Sequence, residues 1–317
     1  MKKVFITCCL PDNLGNLLGR EYEVAVFPEK RPPTKNEIIK YGSDSNAFIT
    51  TVNDIIDKEI IESCPGLRVI ANCAVGYENI DVNYAVKKGI YVTNTPDVLN
   101  ETTADLAWAL ILSTARRVAE GDSLVRKGEF RYWGLSLLLG HNVYGKTLGI
   151  FGMGRIGSAV ARRSVGFSMR VIYSSRNRNK AIDNKIGSVL VDFQTLLRES
   201  DYLVITAPLN EDTRGRFGME EFQQMKDTAV LINVGRGPIV RERELANALK
   251  KGVIWAAGLD VFEKEPEVDE ELIKLNNAVL LPHIGSGSVE TREGMAKMAV
   301  ENVIDAFQER IPRNVVK

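Results

Sequence analysis

The stretch that decides the fold is residues 147–165, TLGIFGMGRIGSAVARRSV. A β-rich run at 147–151 leads into glycines spaced Gly-x-Gly-x-x-Gly, and a helical pattern follows at 154–165. The first glycine permits a tight turn, the second lets the backbone approach a pyrophosphate, and the third lets helix and strand pack closely. The N–H groups at the start of the helix attract an anion. The sequence therefore predicts a dinucleotide-binding turn formed by Gly152, Met153, Gly154, Arg155, Ile156 and Gly157.

The end of the next predicted strand, at 170–173, indicates which dinucleotide is bound. Domains of this kind that bind NAD usually carry an acidic residue about 20 positions beyond the glycines, where it meets the ribose hydroxyls. Here Ser175, Arg176 and Asn177 follow the strand, and no carboxylate stands at that place. A guanidinium can pair with a 2′-phosphate through two hydrogen bonds, and a serine hydroxyl can donate another. The pattern favours NADP(H); NAD(H) is the alternative if the arginines only form a solvated loop.

Strands and helices alternate through the second part of the chain. Strands are predicted at 147–151, 170–173, 202–206, 230–234, 255–259 and 278–281. Helical stretches fill the gaps between them. Strands in this alternation predict a doubly wound parallel sheet of the Rossmann type, an α/β architecture.

The first hundred residues show the same alternation, with strands predicted at 4–7, 22–26, 47–50, 68–72 and 90–93. This pattern predicts a second, smaller parallel-sheet domain of flavodoxin-like type. A long helix is predicted at 102–127, where Thr102 and Asp105 have capping-box spacing, and another at 288–308. If the helix at 288–308 packs on the first domain, the chain crosses between the domains twice. We therefore expect a Rossmann-type cofactor domain at 100–287, inserted into a smaller domain formed by 1–99 and 288–317, with an interdomain cleft between them.

Composition limits the classes of function. The chain has 317 residues, of which 44% are hydrophobic, enough apolar material for two cores. Lys and Arg number 41, as do Asp and Glu, so the basic surplus of a nucleic-acid-binding protein is missing. No apolar run approaches the ~18 residues of a membrane helix, and no small-residue cleavage site follows the apolar run near the start. We expect a cytoplasmic protein with no nucleic-acid or membrane partner.

The cysteines indicate neither a metal site nor a disulfide framework. Cys8, Cys9, Cys64 and Cys73 all lie in the first quarter of the chain, without the spacing of either. We expect reduced thiols buried in the core, and no bound metal.

The chain has only two histidines, and one of them follows a predicted strand. His141 lies in a glycine-rich loop and receives no role. His283 lies just past the last predicted strand, at the sheet edge where open α/β sheets bind ligands. His283 is therefore a candidate acid–base group, although a lone histidine is often structural.

Two further candidates also follow predicted strands. Arg236 lies between two glycines, and its planar guanidinium matches a carboxylate. An acidic stretch at 263–271 follows another strand. The residues alone do not choose among Glu263, Glu265 and Glu267, and a solvated acidic surface is the simpler interpretation of this stretch.

Four segments together resemble the D-isomer-specific 2-hydroxyacid dehydrogenase family, namely 152–157, 233–237, 258–266 and 282–286. Their order and spacing match the family over essentially the whole chain, and they are highly specific jointly although each is modest alone. Within the family the chain is most similar to glyoxylate/hydroxypyruvate reductases, on residues 143–150, the Ser175-Arg176 pair and 282–286. The resemblance implies NAD(P)H-dependent reduction of a small 2-oxo acid to the D-2-hydroxy acid, with glyoxylate or hydroxypyruvate favoured.

The resemblance also implies residue roles. His283 would be the general acid that protonates the substrate carbonyl oxygen, and Glu265 would hydrogen-bond to it and keep it protonated near neutrality. Arg236 would hold the substrate carboxylate and polarise the carbonyl. Val75 and Gly76 would offer backbone N–H groups to that carboxylate from the first domain, and 1–99 with 288–317 would form the substrate-binding lid domain. The remaining cofactor contacts would come from Val234, Gly235, Gly285 and Asp260, the last near the nicotinamide carboxamide.

Members of the family are usually homodimers built around the helix at 102–127, and the loop at 130–140 would then reach the partner's active site. Trp133 lies in this loop, but a leucine-rich run at 135–139 occupies the expected contact position, so the preferred substrate size stays open. The alternatives are another dehydrogenase of the family, such as a short-form 3-phosphoglycerate dehydrogenase or a phosphite dehydrogenase, and a dinucleotide-sensing binding protein of the same fold. The three retained candidate side chains favour an enzyme.

Overall fold

The computed structural model describes residues 1–8, 10 and 14–316. The chain divides into two compact units, a first unit of Met1–Leu99 with Gly287–Lys317 and a second unit of Asn100–Ser286. Each unit is built on a parallel β-sheet with helices packed against it. The predicted fold class of two parallel-sheet α/β domains is therefore confirmed.

The first unit holds a five-stranded sheet in the order β2-β1-β3-β4-β5, which is the flavodoxin-like order. The strands are β1 (Lys2–Ile6), β2 (Tyr22–Val26), β3 (Ala47–Thr50), β4 (Val69–Asn72) and β5 (Tyr91–Thr93). The helices are α1 (Lys35–Gly42), α2 (Lys58–Ser63), α3 (Val82–Lys87), a C-terminal helix (Val289–Phe307) and a 3-10 helix (Leu14–Glu21). Thr34, Asp57 and Asp81 cap the starts of α1, α2 and α3 with their side-chain oxygens.

Both faces of this sheet are covered, because its strands are apolar on both sides. Val4 and Ile6 of β1 pack with Val300 and Val303 of the C-terminal helix. Phe5, between them in sequence, points to the opposite face and joins the core under α1 and α2. Because side chains alternate between two covered faces, the central strands β3 and β4 are buried along their whole length.

The second unit holds a seven-stranded parallel sheet in the order β12-β11-β10-β9-β6-β7-β8. This is the Rossmann order with one added strand. The strands are β6 (Thr147–Phe151), β7 (Arg170–Ser174), β8 (Val189–Leu190), β9 (Tyr202–Ile205), β10 (Val230–Asn233), β11 (Ala256–Leu259) and β12 (Ala278–Leu280). The helices are α4 (Asn100–Ala115), α5 (Val118–Arg126), α6 (Arg155–Arg163), α7 (Lys180–Ile186), α8 (Phe193–Glu199), α9 (Met219–Phe222), α10 (Glu242–Lys250), α11 (Glu270–Ile273) and the 3-10 helices Ser164–Phe167 and Gly237–Ile239.

Helix α4 is buried against this sheet and against α6. Ala107, Leu110 and Ile111 belong to the core formed by one face of the sheet. Trp108 donates its indole N–H to the Val160 carbonyl at 3.0 Å, which ties α4 to α6. α4 is therefore an integral part of the second unit.

Every strand predicted from the sequence is present, with ends shifted by at most two residues. The single helix predicted at 102–127 is wrong, because Arg117 has a φ of 54° and separates α4 from α5. α4 also begins at Asn100, so Thr102 lies inside the helix and not at the N-cap position that the capping-box spacing predicted. The sheet of the second unit contains one strand that the sequence did not predict, the two-residue β8.

The predicted burial of the cysteines is confirmed only in part. Cys64 is buried, whereas Cys8 and Cys73 are half-buried. Cys9 lies outside the described residues. Over the described ranges, no helix combines the length and the apolar character that crossing a membrane requires.

Candidate active site

The glycine turn joins β6 to α6, and the fold itself requires two of its glycines. Gly152 has a φ of 102°, and a Cβ there would lie 2.7 Å from the Ala207 backbone. A Cβ on Gly157 would lie 2.3 Å from the Gly152 carbonyl oxygen. The Thr206 hydroxyl donates to that same carbonyl at 2.6 Å. Strand, turn and helix therefore leave no room for a side chain at either position.

Gly154 differs, because the fold does not require a glycine there. It is the N-cap residue of α6 with a φ of −78°, and a Cβ would meet nothing within 4 Å. In the described part of the chain, no side chain caps this helix. Open space in front of uncapped N–H groups suits a phosphate, so the turn fits the pyrophosphate of a dinucleotide. Of the intervening residues, Met153 is buried, Ile156 half-buried and Arg155 exposed.

The residues after β7 differ in what they can offer a cofactor. Arg178 is held by Asp183, with 2.8 Å between Nε and Oδ2, and this hydrogen bond raises the pKa of Arg178. Arg176 is exposed and forms no hydrogen bond or ion pair with any residue that the structure describes. Ser175 is half-buried and Asn177 exposed. Arg176 is therefore available to an anion, whereas Arg178 is already engaged.

His283 follows β12, and its imidazole contacts a carboxylate. Nδ1 lies 2.7 Å from Glu265 Oε2, and Glu265 Oε1 accepts the Phe262 N–H at 2.9 Å. His283 has a φ of 54°, in the left-handed region that few residues other than glycine adopt, so the chain turns directly after the strand. The side chain is 33% exposed, and Nε2 has no partner within the described ranges. The imidazole is thus oriented by the carboxylate and presents Nε2 to a ligand.

Opposing influences set the charge of Glu265. Burial is the largest single influence and raises its pKa, but the opposing influences, led by the hydrogen bond and charge of His283, together lower the pKa overall. The Phe262 N–H and the charge of Arg236 act in the same direction. Glu265 therefore stays ionised near neutral pH, with its Oε2 facing the imidazole Nδ1. Arg236 is close enough to contribute to this shift.

Arg236 follows β10 on a segment braced by Asn233, the last residue of that strand. Asn233 is 1% exposed; its Nδ2 donates to the Arg236 carbonyl at 3.1 Å, and its Oδ1 accepts the Gly235 N–H at 3.0 Å. Val234 and Gly235 are buried. Asn233 is a site residue that the sequence reasoning missed, and its position at a strand end before glycine was the available signal.

The Arg236 segment also touches the loop that carries Glu265. A Cβ on Gly237 would lie 1.7 Å from the Phe262 carbonyl oxygen, so the two backbones are in direct contact. Only glycine allows this approach. The positions of Arg236 and Glu265 are consequently linked.

Asp260 follows β11 and holds the loop after β12. It is 1% exposed; Oδ1 accepts the Ile284 N–H and Oδ2 accepts the Gly285 N–H, each at 2.7 Å. Burial raises the pKa of Asp260, although both N–H groups and the charge of His283 oppose this. Both carboxylate oxygens therefore fix the backbone directly after His283.

The structure separates the three carboxylates that the sequence left open. Glu265 contacts His283. Glu263 instead accepts the Glu242 N–H at 3.2 Å, and the Glu267 N–H donates to the Lys264 carbonyl in a turn. Over residues 1–8, 10 and 14–316, no three His, Cys, Asp or Glu side chains cluster closely enough to hold a metal ion.

In the first unit, Val75 and Gly76 follow β4 in a loop with fixed carbonyls. Asn72 Nδ2 donates to the Gly76 carbonyl and Asn94 Nδ2 to the Val75 carbonyl, both at 2.8 Å. Within the described part of this unit, neither Val75 nor Gly76 uses its N–H in a hydrogen bond. The loop thus has two backbone donors to offer.

The segment after α5 carries exposed apolar side chains. Trp133 is 75% exposed and Leu135 is 84% exposed. The segment returns to the unit at Gly140, where a Cβ would lie 2.2 Å from the Ala115 carbonyl oxygen. The other exposed apolar members of the segment are Phe130, Tyr132, Leu137 and Leu139. Exposed apolar side chains are thus concentrated in one short segment of the described chain.

Comparison with known proteins agrees with this arrangement. The model of the D-isomer specific 2-hydroxyacid dehydrogenase NAD binding domain matches residues 108–285. The glyoxylate reductase of Thermococcus litoralis is 46% identical, with 99% of this chain and 96% of that protein covered. A crystal structure of a Thermus thermophilus protein is similar with a TM-score of 0.94, 40% identity and coverage of 99% and 100%. An NADPH-dependent glyoxylate/hydroxypyruvate reductase of Sinorhizobium meliloti, solved with NADP and malonate, has a TM-score of 0.86, 31% identity and coverage of 99% and 96%.

The matches extend over both units and include the segments that form the site. The matched NAD binding domain contains the glycine turn and the Arg236, Glu265 and His283 positions, and it indicates a nicotinamide dinucleotide as cofactor. The chain therefore belongs to the D-isomer specific 2-hydroxyacid dehydrogenase family of oxidoreductases.

Proposed function

We propose that this chain reduces a small 2-oxo acid to the D-2-hydroxy acid, with glyoxylate or hydroxypyruvate as the favoured substrates. The observation that carries the proposal is the 2.7 Å contact between His283 and Glu265, with the charge of Arg236 close by. A 2-oxo acid offers a carbonyl to the acid and a neighbouring carboxylate to the guanidinium. The relatives named glyoxylate reductase support the same substrate class.

In this mechanism each side chain acts on one part of the substrate. His283 donates the proton on Nε2 to the carbonyl oxygen as negative charge develops there, and Glu265 stabilises the charged imidazole. A bound reduced nicotinamide supplies the hydride. Positioned proton transfer of this kind contributes about 10²–10⁴-fold to the rate. Arg236 holds the carboxylate and draws electron density from the carbonyl.

The two parts of the chain divide the work. We propose that residues 100–287 bind the dinucleotide and that residues 1–99 with 288–317 form the substrate-binding lid. Val75 and Gly76 would donate their N–H groups to the substrate carboxylate. Replacing Gly76 by proline, which has no N–H, is expected to raise KM for the 2-oxo acid and leave KM for the cofactor unchanged. An unchanged KM for the 2-oxo acid would exclude this contact.

We propose NADP(H) as the preferred cofactor, with NAD(H) as a poorer one. Arg176 is exposed and has no partner among the described residues, while a carboxylate that would repel a 2′-phosphate is missing from this strand end. The relative from Sinorhizobium meliloti is NADPH-dependent. Ser175 and Asn177 would complete the contacts to the phosphate and ribose.

We also propose that the chain forms homodimers through the exposed apolar segment at 130–139. Within the stretch 102–127 around which family dimers are built, α4 is buried in its own unit, whereas Val118 and Val125 of α5 are exposed like Trp133 and Leu135 of the segment that follows. The double variant Trp133→Glu with Leu135→Glu should sediment as a monomer where the unchanged chain sediments as a dimer. Ile311→Glu, at an equally exposed apolar residue outside the segment, serves as the control. A monomeric unchanged chain would exclude this proposal.

The test of the reaction is a panel of 2-oxo acids assayed with NADPH and with NADH by nicotinamide absorbance. We expect turnover with glyoxylate or hydroxypyruvate, and its loss in His283→Ala while NADPH still binds. His141→Gln, at the other histidine, should retain turnover. Near-normal turnover in His283→Ala would rule out His283 as the acid.

The panel also separates the alternatives. Preference for phosphohydroxypyruvate would indicate a short-form 3-phosphoglycerate dehydrogenase. Phosphite is tested beside the panel with NAD⁺ and NADP⁺ as the electron acceptors, and its oxidation would indicate a phosphite dehydrogenase. Dinucleotide binding without turnover of any substrate would indicate a dinucleotide-sensing binding protein.

A further inference from the structure

A buried glutamate lies behind the acid–base pair and contacts the loop that carries Glu265. Glu242 is the first residue of α10 and is 7% exposed. Its Oε2 accepts the Glu263 N–H at 2.8 Å, and its Oε1 accepts the Asp269 N–H at 2.5 Å. These two N–H groups lie on either side of Glu265 in the chain. One carboxylate thus holds both ends of the loop at 262–269.

Two further contacts strengthen this attachment of the loop at 262–269 to Glu242, which we call the Glu242 clamp. Glu263 Oε2 accepts the Glu242 N–H at 3.2 Å, so Glu242 and Glu263 each accept the backbone N–H of the other. Arg243, the next residue of α10, pairs with Asp269 at 3.1 Å. The start of α10 is therefore joined to the loop by side chains from both partners.

The clamp also links the loop to Arg236. Glu242 follows Arg236 by way of the 3-10 helix Gly237–Ile239, whose first residue lies against the Phe262 carbonyl. The Phe262 N–H in turn donates to Glu265 at 2.9 Å. Moving the start of α10 away from the loop would change the distance between Arg236 and Glu265.

We propose that Glu242 is a positioning residue for the reaction: its carboxylate clamps the loop at 262–269 so that Glu265 stays in contact with His283. The inference rests on the proposed function and adds to it a residue that acts through Glu265. A carboxylate is needed because each of its two oxygens accepts one N–H. An amide has only one acceptor oxygen, and its NH₂ group would face the second N–H.

The matched pair of variants is Glu242→Gln and Glu244→Gln. Glu244 lies two positions further along α10 and also accepts a backbone N–H, that of Met219 at 2.6 Å. Met219 begins α9, which carries no candidate site residue. Each variant removes one carboxylate that holds a backbone segment, so each is expected to lower the stability of the folded chain. Only Glu242→Gln also releases the loop that carries Glu265.

We expect Glu242→Gln to lower kcat about 10–100-fold, because a misplacement of about 1 Å in an active site can cost that much. The pH above which kcat falls should move to lower values, as we also expect when Glu265 itself is replaced by Gln, while KM for NADPH stays the same. Glu244→Gln should leave the pH profile unchanged. The milder Glu242→Asp keeps the charge but is too short to reach both N–H groups; it should show the same shift with a smaller loss of kcat.

A second measurement does not depend on activity. Because the chain has two histidines, its imidazole N–H spectrum is simple, and the His283 resonance is the one missing in His283→Ala. The hydrogen bond to Glu265 should shift this proton downfield, and Glu242→Gln should weaken the shift. If Glu242→Gln only lowers Tm, as Glu244→Gln does, with the resonance and the pH profile unchanged, the inference is overturned. Turnover that survives in His283→Ala would instead refute the proposed function, and the resonance would still test the clamp.

Discussion

Replacing Arg176 by alanine tests the basis of the cofactor preference. The guanidinium is exposed and without a partner among the described residues, so its removal breaks no contact that holds the fold. We expect the variant to fold normally and to bind NADPH more weakly. NADH lacks the 2′-phosphate and should bind almost as well as before.

The magnitude follows from the kind of contact that is lost. A hydrogen bond to a charged group contributes about 1.5–3 kcal/mol, and the exposure of Arg176 puts it at the lower end. A loss of about 1.5–2 kcal/mol corresponds to about 10–30-fold, since about 1.4 kcal/mol is a factor of ten. KM for NADPH should rise by this factor, while KM for NADH changes by less than about twofold.

The assay is steady-state reduction of glyoxylate over a range of NADPH or NADH concentrations, supported by direct titration of each cofactor. Arg178→Ala is the control. It also removes one guanidinium, two positions further along the chain, but this guanidinium is already paired with Asp183. It should weaken NADPH much less than Arg176→Ala does. Equal losses for the two cofactors, or equal effects of the two variants, would refute the argument that Arg176 pairs with the 2′-phosphate.

Three further predictions follow from the described contacts. Glu265→Gln should move the fall of kcat with rising pH to lower pH, because the proton on the imidazole loses the carboxylate that stabilises it; an unmoved profile would exclude the 2.7 Å contact as functional. Asp201→Asn should lower the free energy of unfolding by about 1–2 kcal/mol at pH 7, because Oδ1 pairs with Lys226 at 2.7 Å and Oδ2 accepts the Thr147 N–H at 2.8 Å. Although burial opposes the shift, the pKa of Asp201 is lowered in the folded chain. The stabilisation by Asp201 is therefore complete above its unfolded pKa near 3.8 and is lost as the pH falls through its folded pKa. Denaturation curves check this, and a stability difference between the variant and the unchanged chain that persists in acid would contradict it. Gly154→Val should raise KM for NADPH and NADH alike without lowering Tm, because the added side chain enters open space in front of α6, and an unchanged KM for both would remove Gly154 from the cofactor site.

The sheets could be predicted from the sequence because their strands are decided by local residues. Each buried parallel strand is a short apolar run such as Ala47–Thr50, and glycines or polar residues end it. The glycine turn was predictable for the same reason, since its strand, turn and helix are contiguous in the chain. β8 was missed because two residues carry too little pattern.

The break between α4 and α5 could not be predicted, because its causes are distant in sequence. Residues 114–119 contain neither glycine nor proline, and the helical pattern continues through them. In the structure the Ala115 carbonyl accepts the His141 N–H, while Arg117 holds Glu120 and donates to the Leu139 carbonyl. The returning loop therefore replaces the helix hydrogen bonds at this point.

The candidate site was predictable in its outline but not in its supports. The charged groups could be identified because each follows a predicted strand and because the family resemblance includes them. These groups are Arg236, Glu265 and His283. The contacts of Asn233 and Glu242 are made to backbone groups of other loops, and sequence spacing carries no information about them. Choosing Glu265 over its two neighbours from residues alone failed for the same reason, because its contact with His283 joins two separate loops.

The different demands on the three glycines have an evolutionary consequence. Gly152 and Gly157 are fixed by contacts inside the fold, so any descendant that keeps this architecture must keep them, whatever it binds. No contact within the described fold requires a glycine at Gly154, so under the proposed function only the bound dinucleotide would keep this residue small. In a lineage that abandoned its dinucleotide, the central glycine would be the first of the three to drift, and its replacement would mark a non-catalytic descendant while the outer pair still suggested an intact enzyme.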